Sequence, residues 1–167
     1  YWGMGLTAEE VAKEYKINRE DQDIFAFNSH KKALSAIENK KFDSQIVPIN
    51  VEEIYLDENF IRKTRIHTFT QDEGPRKDTS IEALSKLRPV FSSTGSVTAG
   101  NSSQMSDGAA FVMLASESYI KTHNIDPIAR LINYSVAGLP PKIMGVGPIK
   151  AIPKVLEKTN LKISDIQ

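Results

Sequence analysis

Gly95 to Ala110, GSVTAGNSSQMSDGAA, is built almost entirely of side chains too small to fill a core and too neutral to make a charged surface. Its glycines at 95, 100 and 108 let backbone come close to a narrow object, and Thr98, Asn101, Ser102, Ser103, Ser106 and Asp107 supply short hydrogen-bonding groups instead of bulk. A flexible linker is the plainer reading of such a run. Linkers, however, are rarely followed at once by a strand-like segment such as Ala109-Ala110-Phe111-Val112-Met113-Leu114-Ala115, so the stretch reads as a shaped loop lining a site.

The totals bound what such a loop can belong to. The chain has 167 residues, 40% of them hydrophobic and 25% charged, which is the composition and size of one globular domain and not of a disordered segment. Twenty-one basic residues balance twenty-one acidic ones, so no overall field holds it on nucleic acid or an anionic membrane, although local patches stay open. No stretch approaches the roughly 18 apolar residues of a membrane span. Tyr1-Trp2-Gly3-Met4 lacks the basic start and apolar run of a secretory signal, so the expected compartment is intracellular. With no cysteine, the chain can hold no disulfide, no thiolate metal site and no cysteine nucleophile.

Upstream of the loop, Thr7 to Tyr15 predicts a helix with Thr7 as N-cap, Glu10 closing a capping box, and Leu6 with Val11 as a hydrophobic staple. A second helix is expected from near Asn18 to about Glu38, with Ile24, Phe27, Leu34 and Ile37 along one half-buried side. Ile46 to Val51 reads as a strand demoted to an edge by Pro48, Ile54-Tyr55-Leu56 as a further apolar patch, and Phe60 to Phe69 as the return strand after Asp57-Glu58-Asn59. Thr70 to Arg76 is a loop, followed by a short helix capped by Thr79 with Glu82 and stopped by Pro89.

Downstream, two strand-like runs, Ala109 to Ala115 and Ala129 to Val136, bracket a helix from Ser116 to about Thr122, which is α/β spacing. Leu139-Pro140-Pro141 leads through Met144-Gly145-Val146-Gly147-Pro148 to a helix carrying Ile149, Ile152, Val155 and Leu156. Pro153 requires that this helix either begin near it or bend there. Charge and loop signals dominate before about residue 90 and alternating strands and helices after about 105. Two partial units are therefore expected, and the missing initiator methionine and abrupt end point the same way.

Five segments carry a resemblance to a known family: GMGLTAEEVA at 3 to 12, INREDQDIFAFNSHKKA at 17 to 33, DEGPRKDTSIEALSKLRPVF at 72 to 91, GSVTAGNSSQMSDGAA at 95 to 110 and GLPPKIMGVGPIKAIPKVLE at 138 to 157. In order and in spacing they resemble the thiolases, nearest to the degradative 3-ketoacyl-CoA thiolases (acetyl-CoA acyltransferases) and less to the biosynthetic acetoacetyl-CoA type. The resemblance implies a partial thiolase-like αβαβα fold of the α/β class, with 1–105 as the later part of the loop domain, 106–127 as the end of the N-terminal half and 128–167 as the start of the C-terminal half. It implies CoA-dependent cleavage of 3-ketoacyl-CoA through a cysteine nucleophile, an activating histidine, a second cysteine and an NEAF-type asparagine. None of those motifs is in this sequence, so the chain reads as an internal segment without catalytic residues. The implied partners are CoA and 3-ketoacyl-CoA, with no cofactor beyond CoA as substrate. A homodimer or homotetramer is implied, in the cytoplasm or, in a eukaryote, the peroxisome or mitochondrion.

Coenzyme A calls for a cation near the mouth of its site and a narrow neutral tunnel behind it. By resemblance, Arg76 meets the nucleotide end, Ala99 and Ser103 touch the pantetheine arm, and Met4 and Met144 lie beside the acyl and thiol end. From the residues alone Arg76 is one more solvated arginine and the methionines are core fillers. Gly3 stands where the biosynthetic thiolases carry a histidine, which suits a roomier acyl pocket. His30, His67 and His123 have no metal-like spacing and read as structural or exposed. The pairs Asp72-Glu73 and Glu52-Glu53 read as surface, Gly145 and Gly147 make only a truncated phosphate loop, and Arg62-Lys63-Arg65 reads as a solvated face. A thiolase-like lipid carrier without chemistry, and a scaffold without ligand, are the competing functions.

Overall fold

A computed structural model describes residues 2–166. In chain order the elements are α1 (Met4–Glu14), α2 (Arg19–Glu38), β1 (Ile49–Leu56), β2 (Arg62–Phe69), α3 (Ile81–Ser85), α4 (Glu117–His123) and α5 (Gly147–Thr159), with 3-10 turns at Asp43–Gln45, Pro141–Val146 and Ile163–Asp165. They fall into two compact units. One comprises the residues up to Ile17, Phe91–Ser96 and the chain from Met105 onward; the other comprises Asn18–Val90 and Val97–Gln104.

In the first unit α1 packs against the 3-10 turn Pro141–Val146, burying Thr7, Ala12 and Val146. The expected cap at Thr7 is corrected: Gly3 is the N-cap and the helix begins at Met4. Thr7 sits inside the first turn, where its Oγ1 donates to the Met4 carbonyl at 2.8 Å. The reason is tertiary. Gly5 leaves no room for a Cβ against the Phe91 ring, and this close packing carries the helix back past the sequence's own start signal. Ser116 caps α4 by accepting the Tyr119 N–H at 3.2 Å, and Asn124 closes it in the left-handed region at φ 54°. α5 begins at Gly147 and carries Pro153 in its interior, so the alternative that the helix starts near Pro153 is overturned.

Neither predicted strand of this unit forms. Among the described residues, 109–115 and 129–136 make no ladder; Phe111 is 100% exposed and Val136 78%. Their residue pattern is that of buried strands, but a strand needs a partner edge, and the one sheet of the described residues is β1 with β2. Ser135, Val136 and Tyr134 are instead tied to α5, Ser135 Oγ donating to Ala151 O at 2.6 Å and Lys154 and Lys158 reaching the carbonyls of Val136 and Tyr134 at 3.4 Å.

In the second unit Asn18 caps α2 by accepting the Asp21 N–H at 2.8 Å, as its position predicts. Phe27, Leu34 and Ile37 are half-buried, and Ile24 is more open. β1 and β2 pair antiparallel from Ile49 opposite Phe69 to Leu56 opposite Arg62. The first strand thus starts after Pro48 and runs through 54–56, one element where two patches were expected. Asp57 Oδ1 accepts the N–H groups of both Asn59 and Ile61 at 2.9 Å and closes the turn. α3 is capped by Ser80, which accepts the Ala83 N–H at 3.1 Å, and not by Thr79. Both hydroxyls suit the role, and the one three residues before the N–H of Ala83 takes it. Leu84, Val97 and Thr98 form the buried centre of this unit, where α2 packs on α3.

Candidate functional site

Only part of the small-residue stretch is a shaped loop: 97–104 are anchored, whereas 105–110 are exposed and a Cβ on Gly108 would meet nothing within 4 Å. Thr98 is fully buried and Val97 nearly so, and the Val90 N–H donates to the Val97 carbonyl at 3.0 Å. Asn101 Oδ1 accepts the Thr98 N–H at 2.7 Å, Thr98 Oγ1 accepts the Gly100 N–H at 3.2 Å, and Ser102 Oγ donates to Thr98 O at 2.7 Å. A Cβ on Gly100 would sit 2.5 Å from both Leu84 Cδ2 and Leu87 Cδ1, so only glycine lets the loop backbone lie on α3 and the residues that follow it. Side chains anchor the loop inward, and Ala99 and Ser103 are left exposed on it.

A second loop of the same unit meets it. Gln104 Nε2 donates to Gly74 O at 3.5 Å, joining the residue after Ser103 to the segment that carries Arg76. The Arg76 N–H donates to His30 Nδ1 at 3.1 Å, which requires that a neutral His30 ring hold its proton on Nε2. His30 is thus a structural support for the Arg76 loop. The Arg76 guanidinium is 68% exposed and turned onto Asp78, with Nε to Oδ1 at 3.3 Å and Nη2 to Oδ2 at 3.2 Å. That hydrogen-bonded pairing holds the guanidinium above, and the carboxyl below, its ordinary pKa. A pair this exposed is weakly held, so an arriving phosphate can take the guanidinium from Asp78.

The two methionines belong to the other unit. Met4 opens α1, and Met144 lies in the 3-10 turn packed on that helix; Met4 is 68% exposed and Met144 48%, so neither is a core filler. Glu9, also on α1, receives the Ser96 N–H on both carboxylate oxygens at 3.0 Å. The structure therefore groups Arg76, Ala99 and Ser103 in one unit and Met4 and Met144 on neighbouring elements of the other.

Two residues that the sequence reading passed over hold the loop. Asp23, 2% exposed, accepts from Asn101 and from Arg19. The signal was present: Asp23 lies in helical phase with Phe27, His30, Leu34 and Ile37 on the inward stripe of α2, where an unpaired acid would be costly, and Arg19 precedes it by one turn.

The remaining candidates fall away. Arg65 pairs with Glu53 at 2.6 Å and stacks over Tyr55, Lys63 pairs with Asp57 at 2.9 Å, and His67 also meets Glu53, so the basic strand is more internally paired than a merely solvated face. His123 stacks on Tyr119 with ring centroids 3.9 Å apart. An open groove of about 480 Å³ over α2 is lined by Asn28, Lys31, Lys32, Ser35, Ala36 and Lys41, none of them a predicted site residue. Among the described residues no cluster of acids and histidines could hold a metal, and no helix is long and apolar enough to cross a membrane.

The second unit thus joins an anchored neutral loop to a loop with an exposed arginine. Comparison with known proteins says what kind of chain carries it. The thiolase N-terminal domain matches residues 2–118 and the thiolase C-terminal domain residues 125–167, and the chain belongs to the thiolase family. A 3-ketoacyl-CoA thiolase of Bacillus subtilis (strain 168) is 45% identical over 166 residues, covering 99% of this chain and 42% of its own length. A probable acetyl-CoA acyltransferase of Staphylococcus aureus (strain COL) is 44% identical over 163 residues, 98% of this chain and 39% of its own. The crystal structure of the Bacillus anthracis acetyl-CoA acetyltransferase aligns with TM-score 0.85 and 46% identity over 97% of this chain and 39% of that one, and human mitochondrial 3-ketoacyl-CoA thiolase with 0.83 and 40% over the same shares. The chain has part of the thiolase α/β fold, and it spans 39 to 42% of the length of these relatives.

Proposed function

We propose that the chain is the coenzyme A-holding segment of a 3-ketoacyl-CoA thiolase, an acetyl-CoA C-acyltransferase that cleaves 3-ketoacyl-CoA with free CoA to acetyl-CoA and a shortened acyl-CoA. The observation that carries this reading is the loop 97–104, anchored inward by Asn101 and Thr98 and joined through Gln104 and Gly74 to the segment bearing Arg76. In the proposal Arg76 leaves Asp78 for a phosphate of the nucleotide end, Ala99 offers an uncharged wall to the pantetheine arm, and Ser103 hydrogen-bonds to it. Met4 and Met144 line the acyl and thiol end, where flexible thioethers tolerate different chains.

The division 1–105, 106–127 and 128–167 into loop domain, end of the first half and start of the second belongs to the same reading. So do a role in fatty-acid β-oxidation, a homodimeric or homotetrameric enzyme, and a cytoplasmic location (peroxisomal or mitochondrial in a eukaryote). The reactive sulfur has to come from outside these residues, since the chain has no cysteine.

The test is a chimera. This chain replaces the matching region of the Bacillus subtilis relative, and thiolysis of acetoacetyl-CoA and of longer 3-ketoacyl-CoA substrates is assayed with free CoA. Turnover, reduced by Arg76→Ala mainly through the KM for CoA, supports the reading. A folded chimera that binds acyl-CoA without cleaving it moves the reading to a lipid carrier.

A further inference from the structure

The residues proposed to meet CoA leave one buried charge without a role. Both oxygens of Asp23 are engaged: Oδ2 accepts Arg19 Nε at 2.8 Å and Oδ1 accepts Asn101 Nδ2 at 3.0 Å. Arg19 Nη2 donates in turn to the carbonyls of Leu84 at 2.6 Å, in α3, and Leu87 at 3.0 Å, just beyond it. Asn101, held by its NH2 on Asp23, aims its Oδ1 at the Thr98 N–H. Three segments thus meet on one carboxylate.

The chemistry at position 23 is narrowly specified. Arg19 and Asn101 both present donors, and only a carboxylate answers both with acceptors. An amide there has to aim its own NH2 at one of them, donor against donor. If Asn101 flips to relieve this, its NH2 faces the Thr98 N–H and the same conflict moves into the loop. Asp23 therefore dictates which way Asn101 points, and Asn101 dictates the backbone from Thr98 to Gly100, the stretch that holds Ala99.

We propose that Asp23, backed by Arg19, is a positioning residue for coenzyme A: acting through Asn101, it fixes loop 97–104 in the form that offers Ala99 and Ser103 to the pantetheine arm. The inference rests on the CoA-holding reading above. Its physical content is preorganisation. A loop ordered before the ligand arrives spares binding the cost of ordering it.

The experiment compares wild type, Asp23→Asn and the double variant Asp23→Asn/Asn101→Asp, using the full chain. In the double variant the new amide at 23 accepts from Arg19 and donates to the new carboxylate at 101, whose other oxygen accepts the Thr98 N–H, so every donor again meets an acceptor. Amide hydrogen exchange at Thr98 and Gly100 is read without ligand, and CoA affinity by titration. The single variant exchanges at both amides at least about tenfold faster and binds CoA about tenfold more weakly, and the double variant recovers both to within about threefold. Unchanged exchange in Asp23→Asn overturns this inference alone. Faster exchange with CoA affinity intact, or a double variant no better than the single, overturns it as well. Wild type that takes up no CoA overturns the functional reading and this inference with it.

Discussion

The carboxylate of Glu9 on α1 receives the backbone N–H of Ser96 on both of its oxygens, 3.0 Å each, across 87 residues of sequence. Ser96 Oγ adds a second donor at 3.3 Å, and Gly95 has no space for a Cβ beside the same carboxylate. A glutamine at 9 would turn an NH2 towards a backbone N–H. Glu9→Gln should therefore lower stability by about 1 to 2 kcal/mol, and Glu9→Ala by more, as judged from thermal melts. A Glu9→Gln protein that melts with wild type would show that the contact does not hold the start of the loop.

Gly100 tests the close approach of the loop to the α3 segment. The Cβ of Gly100→Ala would meet Leu84, 3% exposed and unable to give, and Leu87, which can move into solvent. The expected cost is about 1 to 3 kcal/mol from overpacking, with weaker CoA binding because the loop shifts outward. Chemical denaturation measures the first and titration the second; wild-type values in both would remove the argument that only glycine fits.

These two positions show what the sequence carried. The composition of GSVTAGNSSQMSDGAA signals the anchored loop at 97–104, though 105–110 of the same run lie exposed, and the α2 cap at Asn18, the hairpin and the helix after Ser116 follow from local chemistry that each segment holds within itself. What fails is what depends on partners. Thr7 loses its cap role because Phe91 packs on Gly5, far along the chain. Residues 109–115 and 129–136 are patterned for a sheet whose other strands the described residues do not supply. Arg76 was legible as a cation near a loop, but its pairing with Asp78 and its support by His30 depend on folded geometry. Asp23 was visible as an acid on an apolar stripe, and its bond to Asn101 was not, since 78 residues separate them.

The hairpin gives a prediction in pH. Hydrogen bonding from Arg65 first, then from His67, holds the Glu53 carboxyl below its ordinary value of 4.5. Because the folded value lies below the unfolded one, the pairing contributes above the unfolded pKa and is lost as pH falls through the folded pKa. An NMR titration of Glu53 should give a midpoint below 4.5, and Arg65→Met should move it upward. The site is exposed, so the melting temperature should respond little. A wild-type midpoint at or above 4.5 contradicts the pairing.

Exposed apolar side chains make a further prediction. Met105, Phe111, Met113 and Ile128 are each more than nine-tenths exposed, an apolar surface that favours association. Sedimentation should show association rising with concentration, and Phe111→Lys with Met113→Lys should reduce it. A single monomeric species at all concentrations, with a cooperative melt, would contradict this.

The most direct measurement is calorimetric titration of wild type and Arg76→Ala with CoA and with pantetheine, at concentrations below the onset of association. Wild type is predicted to bind CoA more tightly than pantetheine, and Arg76→Ala to lose about tenfold in affinity for CoA while binding pantetheine as wild type does. No heat from either ligand, or the same CoA affinity with and without the Arg76 guanidinium, would contradict the account.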